Sequence, residues 1–174
     1  HPTAMVWCAV DNESETFYIY DCYRASKASP TVHAQNIRMR PHFIPIAYPH
    51  DGNRRDSMGN PGLADQYRNL GCNFMLEHFT NPPALGSNKG SNSIEEGLMA
   101  MLQKIEAKKF KVFNTLGDWF EEFRMYHRKD GKVVPLRDDL LSATRYAFQS
   151  QRFAVAGEDP SWTADVEYRN YGIV

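Results

Sequence analysis

The sequence predicts an α/β domain in which helices flank a mixed β-sheet. Runs rich in β-branched and aromatic residues alternate with helical patterns, and the first two runs together predict a hairpin. The 174 residues, 42% of them hydrophobic, provide enough apolar material for one compact core. We therefore expect one core domain at residues 1–150 and a tail or arm at residues 151–174.

The predicted hairpin lies at the start of the chain. Its strands are Ala4–Val10 and Thr16–Tyr23, which are apolar, β-branched or aromatic and flank a short polar turn. A helix is predicted next, at Thr31–Met39, because the preceding Ser29-Pro30 favours a helix start.

The middle of the chain predicts two further strands and a short helix. Phe43–Tyr48 is one strand candidate, although Pro45 cannot donate a backbone hydrogen bond and so favours a sheet edge or a bulge. A helix is expected at Gly62–Asn69, and Cys72–Phe79 is the other strand candidate. Residues 81–92 are rich in Pro, Gly and Asn and indicate a loop.

The clearest helix is predicted to begin after Ser93. Ser93 and Glu96 match a capping box, in which each side chain bonds to the other residue's backbone N–H. The apolar residues that follow fall on one helical stripe, which we expect to face the core. These residues are Ile94, Leu98, Met101, Leu102 and Ile105.

Four elements complete the predicted domain. A strand at Phe110–Phe113 is followed by a helix at Thr115–Arg124. Asp130-Gly131, at the centre of Met125–Leu136, is the dipeptide most typical of a two-residue hairpin turn. An amphipathic helix is then expected to start at Asp138 and to extend to about residue 150.

Composition and charge exclude several classes of protein. No stretch approaches the roughly 20 apolar residues of a membrane span, and the first residues lack the features of a signal peptide. The three cysteines are widely spaced, which supports neither a zinc site nor a disulfide framework. The net charge of −1 does not by itself indicate a nucleic-acid partner. The stretch from Arg24 to Arg55 is nevertheless basic, and segregated charge of this kind can present a face to phosphates.

Asp51 is the first candidate for a catalytic residue. It follows the predicted strand Phe43–Tyr48, at the carboxyl end where α/β sheets place their ligands. Gly52 leaves room for the close approach of a substrate backbone, and Arg54 and Arg55 make the loop basic. The alternative is an ordinary Asp-Gly turn without a chemical role.

The adjacent Asp138 and Asp139 are the second candidates. One acid at this position can cap the helix and stabilise it by roughly 1 kcal/mol, but a second acid is redundant as a cap. Small residues such as Ser142 and Ala143 let the helix lie close against a sheet, near strand ends such as the one that bears Asp51. Carboxylates on neighbouring elements are the ligands that Mg²⁺ or Mn²⁺ prefers.

Other charged residues are expected to have simpler roles. Asp11 and Asp130 fall in predicted turns, and Glu121 and Glu122 are expected on a solvated helix face. The turn at His127–Lys132 carries several basic side chains, which suit sequence-independent contacts to a DNA backbone. Exposed basic turns are also common in proteins without such a function.

In their order along the chain, these segments resemble the nuclease domain of tailed-bacteriophage large terminases, of the type found in headful-packaging short-tailed phages. The resemblance covers roughly residues 1–150, and the loop YPHDG and the segment RDDLLSATRYA are its most specific parts. The segments that carry it are AMVWCAVD, TFYIYDCYR, IPIAYPHDGNRRD, FKVF and WFEEFRMYHRKDGKVVPLRDDLLSATRYAF.

The resemblance implies an RNase H-like fold and an endonuclease that cuts concatemeric double-stranded viral DNA during genome packaging. Matched by motif, Asp51 corresponds to the acid that follows a core strand, and Asp138 and Asp139 to the acidic pair that opens the last helix. These acids would bind two Mg²⁺ or Mn²⁺ ions about 4 Å apart for two-metal hydrolysis. The implied partners are DNA, the small terminase subunit and the portal protein, in the host cytoplasm during assembly. The expected DNA contacts are Arg54, Arg55, Arg128, Lys129 and Lys132.

One departure from the family pattern matters for activity. The family's first acid lies on a strand immediately before the segment that matches His1–Val10, and this sequence does not include that strand. We therefore expect a fragment that lacks one metal ligand and an internal strand, binds metal weakly and cuts DNA poorly. Two alternatives remain open: a junction resolvase or recombination nuclease on the same scaffold, and a non-catalytic docking module of the packaging motor in which the acids merely cap helices.

Overall fold

The computed structural model describes residues 2–55, 58–83, 85–86, 88–134 and 136–156. Its main sheet has the strand order β1-β2-β3, and a separate two-stranded hairpin lies between the last two helices. The strands are β1 (Thr3–Asp11), β2 (Thr16–Ala25), β3 (Phe110–Val112), β4 (Arg128–Lys129) and β5 (Lys132–Val133). The α-helices are α1 (Pro30–Ile37), α2 (Leu63–Asn69), α3 (Ile94–Glu106), α4 (Gly117–Met125) and α5 (Asp139–Gln149).

The main sheet is mixed, as the sequence predicted. β1 and β2 form an antiparallel hairpin, with a register irregularity between Trp7 and Cys8, and β3 runs parallel to β2. The turn of the hairpin is set by Asp11, whose carboxylate accepts the backbone N–H of Glu13 at 3.0 Å and the hydroxyl of Ser14 at 2.5 Å. This confirms the expected turn role of Asp11.

Helices cover both faces of the sheet because alternate residues of a strand point to opposite faces. Val6 and Cys8 pack against a cluster that includes Phe17 and Ile19 of β2 and buried residues of α4 and α5. Trp7, between them, belongs to a second cluster formed with α1 and α2. The core therefore has two layers of helix with the sheet between them, which confirms the predicted α/β class.

The two central strand candidates, Phe43–Tyr48 and Cys72–Phe79, do not form regular strands. They meet in one isolated parallel bridge, between Ile46 and Phe74. Pro45 removes one backbone donor from the first segment. Within the described residues, no strand pairs with Phe43–Tyr48 on the side away from Phe74. Pairing along one short stretch provides too few backbone hydrogen bonds to form a regular strand.

Helix α3 begins where predicted but buries a different face. The Ser93 hydroxyl accepts the backbone N–H of Glu96 at 3.4 Å, which confirms the capping residue. The predicted stripe is only partly right, because Met101 is buried whereas Leu102 is 45% exposed. The helix packs instead through Gly97, where an added Cβ would lie 2.6 Å from Cγ of Arg145 on α5.

The remaining predictions for the second half of the chain agree with the structure. Asp130 and Gly131 have φ of 50° and 75°, the left-handed values that a tight hairpin turn requires. α4 and α5 lie where helices were expected, and the described cysteines are free thiols.

Within the described residues, no helix has both the length and the apolar character that a membrane span requires. Most of the predicted tail, residues 157–174, lies outside the described residues.

Candidate active site

A cavity of about 1310 Å³ lies beside the free edge of β1. β1 forms one wall, residues 43–49 form another, and the side of α5 that bears Ser142 and Ala143 forms a third. Asp51, Asp138 and Asp139 all line this cavity. The loop acid and the acidic pair, far apart in the sequence, therefore lie on the wall of the same space.

Asp51 lies on a single turn of 3-10 helix, His50–Asn53, directly after the segment that carries the bridge residue Ile46. The turn is closed by the backbone N–H of Gly52, which donates to the Pro49 carbonyl at 2.9 Å. Gly52 lies flat against the ring of Tyr48, since an added Cβ would come within 2.6 Å of Cδ2 of that ring. Glycine is thus required here by the packing of the protein itself, a reason that the sequence did not indicate.

A network centred on Tyr48 holds the Asp51 turn to helix α2. The buried Tyr48 hydroxyl lies 2.9 Å from Oδ1 of Asn53, to which it can donate, and accepts a hydrogen bond from Nη2 of Arg68 at 2.9 Å. Arg68 also pairs with Asp65 at 2.6 Å, one turn earlier on α2. The position of Asp51 is therefore fixed by side chains of the preceding strand segment and of α2, which sequence reasoning did not identify.

Asp138 and Asp139 occupy the first positions of α5. Asp138 is the N-cap residue, but its carboxylate accepts no backbone N–H from the first turn. Its recorded partner is the hydroxyl of Ser142, at a long 3.5 Å. Within the described residues, the carboxylate of Asp139 has no recorded hydrogen bond or ion pair. Neither side chain is therefore committed to capping the helix.

Glu122 of α4 takes the capping role instead. Its Oε2 accepts the backbone N–H of Leu140 at 2.7 Å and that of Leu141 at 3.3 Å. Its Oε1 accepts a hydrogen bond from Nη1 of Arg24 on β2 at 2.6 Å. The expectation of a solvated Glu122 was wrong, because its side chain is 0% exposed, whereas the side chain of its neighbour Glu121 is 45% exposed. A single glutamate within an amphipathic pattern gives no sign that a helix end from another element will lie beside it.

The electrostatics of Glu122 reflect opposing effects. Burial raises the pKa of this carboxyl above its ordinary value, because a charged carboxylate is poorly solvated inside the protein. The N–H groups of Leu140 and Leu141 and the guanidinium of Arg24 oppose that rise, since they stabilise the carboxylate form. These three partners therefore favour the charged form against the effect of burial.

The donors around the cavity match a hard divalent cation in chemistry but do not form a complete set of ligands. Carboxylate oxygens are the donors that Mg²⁺ and Mn²⁺ prefer. Across the part of the chain that the structure describes, however, no three His, Cys, Asp or Glu residues are grouped closely enough to hold a metal ion. Asp51, Asp138 and Asp139 line the cavity without forming such a group.

The predicted DNA-contacting residues differ in their surroundings. Arg54 and Arg55 are exposed and follow the Asp51 turn directly, and Lys129 and Lys132 are exposed on the hairpin formed by β4 and β5. Arg128 is also exposed, but its two Nη atoms bond to Glu95 of α3 at 2.9 and 2.6 Å. The hairpin is thereby attached to α3 through Arg128, while the two lysines extend into solvent.

Comparison with known proteins gives consistent matches over most of the chain. The family model described as the terminase RNaseH-like domain matches residues 1–151. The large terminase subunit of Salmonella phage P22 is 35% identical over 155 residues, which is 88% of this chain and 30% of that protein. The large subunit of Enterobacteria phage LP7 is 34% identical over 149 residues, 85% of this chain and 30% of that protein. The chain thus spans under a third of the length of these relatives.

A solved structure is similar to the whole arrangement of elements. The structure of the P22 large terminase nuclease domain superposes with a TM-score of 0.77 at 34% sequence identity. The similarity covers 88% of this chain and 77% of that domain. At this level of identity the likeness extends to the sequence as well as to the fold.

The network around Tyr48 predicts a measurable loss of stability in Tyr48→Phe. Removing the hydroxyl deletes its hydrogen bonds with Asn53 and Arg68, so we expect the free energy of unfolding to fall by about 1–2 kcal/mol. Urea denaturation measures this change. Tyr18→Phe is the control, because the Tyr18 hydroxyl has no recorded hydrogen bond within the described residues. Equal stabilities of the two variants would contradict the proposed role of the network.

Proposed function

We propose that this chain, which belongs to the terminase RNaseH-like domain family, is the endonuclease domain of a packaging motor and cuts concatemeric double-stranded viral DNA. Its fold is RNase H-like. The observation that carries the proposal is that Asp51, Asp138 and Asp139 line one cavity. The docking-module alternative requires acids that merely cap a helix, and the Asp138 carboxylate makes no such bond.

The proposed activity depends on two divalent ions, Mg²⁺ or Mn²⁺. When bound, such ions polarise the phosphodiester and promote its attack by water. Asp51, from the 3-10 turn, and Asp138 or Asp139, from α5, would hold them. These side chains come from two rigidly held elements, because the Tyr48 network fixes the turn and Glu122 fixes the start of α5. The donors are therefore positioned before a cation arrives, which lowers the entropy lost on binding.

We also propose that a further strand occupies the cavity between β1 and residues 43–48. Among the residues that the structure describes, β1 pairs with β2 on one edge and with no strand on the other. Across the cavity, the backbone of Ile46 bonds to residues 73 and 75, and the carbonyl of Tyr48 accepts the N–H of Phe79 at 2.7 Å. Since backbone groups alternate in direction along a strand, those of Ala47 face the cavity. Two unpaired edges thus flank the same space, and an acid on the inserted strand would supply the missing donor.

Double-stranded DNA is the proposed substrate, and its backbone would contact Arg54, Arg55, Lys129 and Lys132. Both pairs are exposed, and basic side chains that are not already paired release counterions from DNA when they bind phosphate. Arg128 contributes less, because Glu95 already neutralises it. The small terminase subunit and the portal protein are the proposed partners, with action in the host cytoplasm during assembly.

Replacing the cavity carboxylates should abolish cleavage without unfolding the domain. In the longer large subunit, Asp51→Asn alone, and Asp138→Asn combined with Asp139→Asn, should each lower the rate of plasmid cleavage with Mn²⁺ by about two orders of magnitude or more. Thermal stability should be unchanged or higher, because repulsion between carboxylates is relieved. Asp118→Asn is the matched control, since Asp118 lies in the first turn of α4 but outside the cavity. Cleavage at the parent rate by either cavity variant would contradict the assignment.

The proposed inserted strand predicts that the 174-residue chain alone is a weak nuclease. We expect slow cleavage of supercoiled plasmid with Mn²⁺, and fast hydrogen exchange of the β1 amides at the free edge. In a longer polypeptide that includes the additional strand, these amides should be protected and cleavage should be restored. Brisk cleavage by the 174-residue chain, or equal exchange in both proteins, would contradict the proposal.

The basic hairpin predicts a change in the salt dependence of DNA binding. Lys129→Ala with Lys132→Ala should weaken binding to all duplex sequences equally. Each lost phosphate contact should lower the slope of log affinity against log salt by about 0.9. Lys111→Ala, an exposed lysine on β3, is the control. If the double variant keeps the parent slope, the hairpin is not part of the DNA interface.

A further inference from the structure

Glu122 connects three elements through one buried carboxylate. It lies on α4 and receives Arg24 from β2 on one oxygen and the first N–H groups of α5 on the other. Its side chain is fully excluded from solvent. Neither Glu122 nor Arg24 lines the cavity, so neither is placed to touch a metal ion bound there.

The bond to α5 determines what the two aspartates can do. The first N–H groups of a helix need acceptors, and the N-cap side chain usually supplies one. Here Glu122 supplies the acceptor from a different helix, and the N-cap residue Asp138 makes no capping bond. If Glu122 were absent, the carboxylates of Asp138 and Asp139 would be the nearest acids able to turn back onto those N–H groups.

We infer that Glu122 is a positioning residue for the proposed metal site, an inference that rests on the proposed function. It caps α5 from outside, and this leaves Asp138 and Asp139 free to face the cavity. The reach of the Glu122 side chain sets the distance between α4 and the first turn of α5, and with it the position of both carboxylates against β1. Arg24 holds the other oxygen and so keeps the side chain turned towards α5.

Two substitutions of Glu122 distinguish the effect of its side-chain length from the effect of its charge. Glu122→Gln keeps the length and an oxygen that can accept from Leu140 and Leu141, but loses the charge. Glu122→Asp keeps the charge but is one methylene shorter, so it cannot reach both N–H groups from the same backbone. A positioning role therefore predicts that the Gln variant retains metal affinity better than the Asp variant. A purely electrostatic role predicts the opposite order.

The experiment measures Mn²⁺ binding to the longer large subunit by the loss of the free-ion signal in electron paramagnetic resonance. The relevant sites are those lost when Asp138→Asn and Asp139→Asn are combined. We expect Glu122→Asp to weaken this binding by about 10-fold or more, within the range known for residues that orient metal ligands. We expect Glu122→Gln to remain within about threefold of the parent. Glu106→Gln, at the exposed end of α3 and outside the cavity, should equal the parent.

All proteins are compared at a temperature where near-ultraviolet circular dichroism shows that each variant is natively packed. Under this condition, a Glu122 that only stabilises the fold would leave the Mn²⁺ affinity unchanged. Parent affinity in Glu122→Asp, or a greater loss in Glu122→Gln than in Glu122→Asp, would overturn the inference. Failure of the proposed function has a different signature. In that case the parent binds no Mn²⁺ at this site, or a variant with both Asp138→Asn and Asp139→Asn binds Mn²⁺ as well as the parent does.

Discussion

The arrangement of the candidate site depends on one buried carboxylate at the start of helix α5. The positive end of a helix must be satisfied by an acceptor, and a charged acceptor inside the protein must itself be neutralised. Glu122 meets the first need and Arg24 meets the second. Because this requirement is satisfied on the core side of the helix, the acids on its other side are not needed for stability. Asp138 and Asp139 are therefore available to line the cavity.

A second constraint acts across the cavity from α5. The Asp51 turn follows a segment that is paired on one side only, and its position relies on the Tyr48 hydroxyl, Asn53 and Arg68. These contacts anchor the turn to α2 although the segment before it is not a regular strand. The edges of β1 and of residues 43–48, which have no strand partner on this side in the described part of the chain, line the same cavity. The acids thus line the same space as two strand edges that have no partner among the described residues.

The sequence predicted those elements whose signals are local. The first hairpin, the Ser93 cap, the Asp130-Gly131 turn and the start of α5 each depend on a few consecutive residues, and each is confirmed. The strand candidates Phe43–Tyr48 and Cys72–Phe79 were not confirmed, because a strand depends on neighbours that the pattern of one segment does not contain. The α3 stripe was partly wrong for a related reason, since contact at Gly97 decides which side of that helix faces α5.

The residues of the candidate site, like the elements of the fold, were predictable only where the signal is local in the sequence. Asp51, Asp138 and Asp139 were recognisable because they follow or open predicted elements, and they do line one cavity. Glu122 was not recognisable, since an acid within a helix pattern usually marks the solvated face and its partners are distant in sequence. The resemblance to terminase nuclease domains supplied the fold class, and family membership and the fold comparison agree with it.

The most direct test is a crystal structure of the longer large subunit soaked in Mn²⁺, with anomalous scattering used to locate the ions. The account predicts Mn²⁺ in the cavity beside β1, bound by Asp51 and by at least one of Asp138 and Asp139, with a further carboxylate from a strand paired to β1. Manganese bound elsewhere, with these three aspartates free of it, would contradict the account.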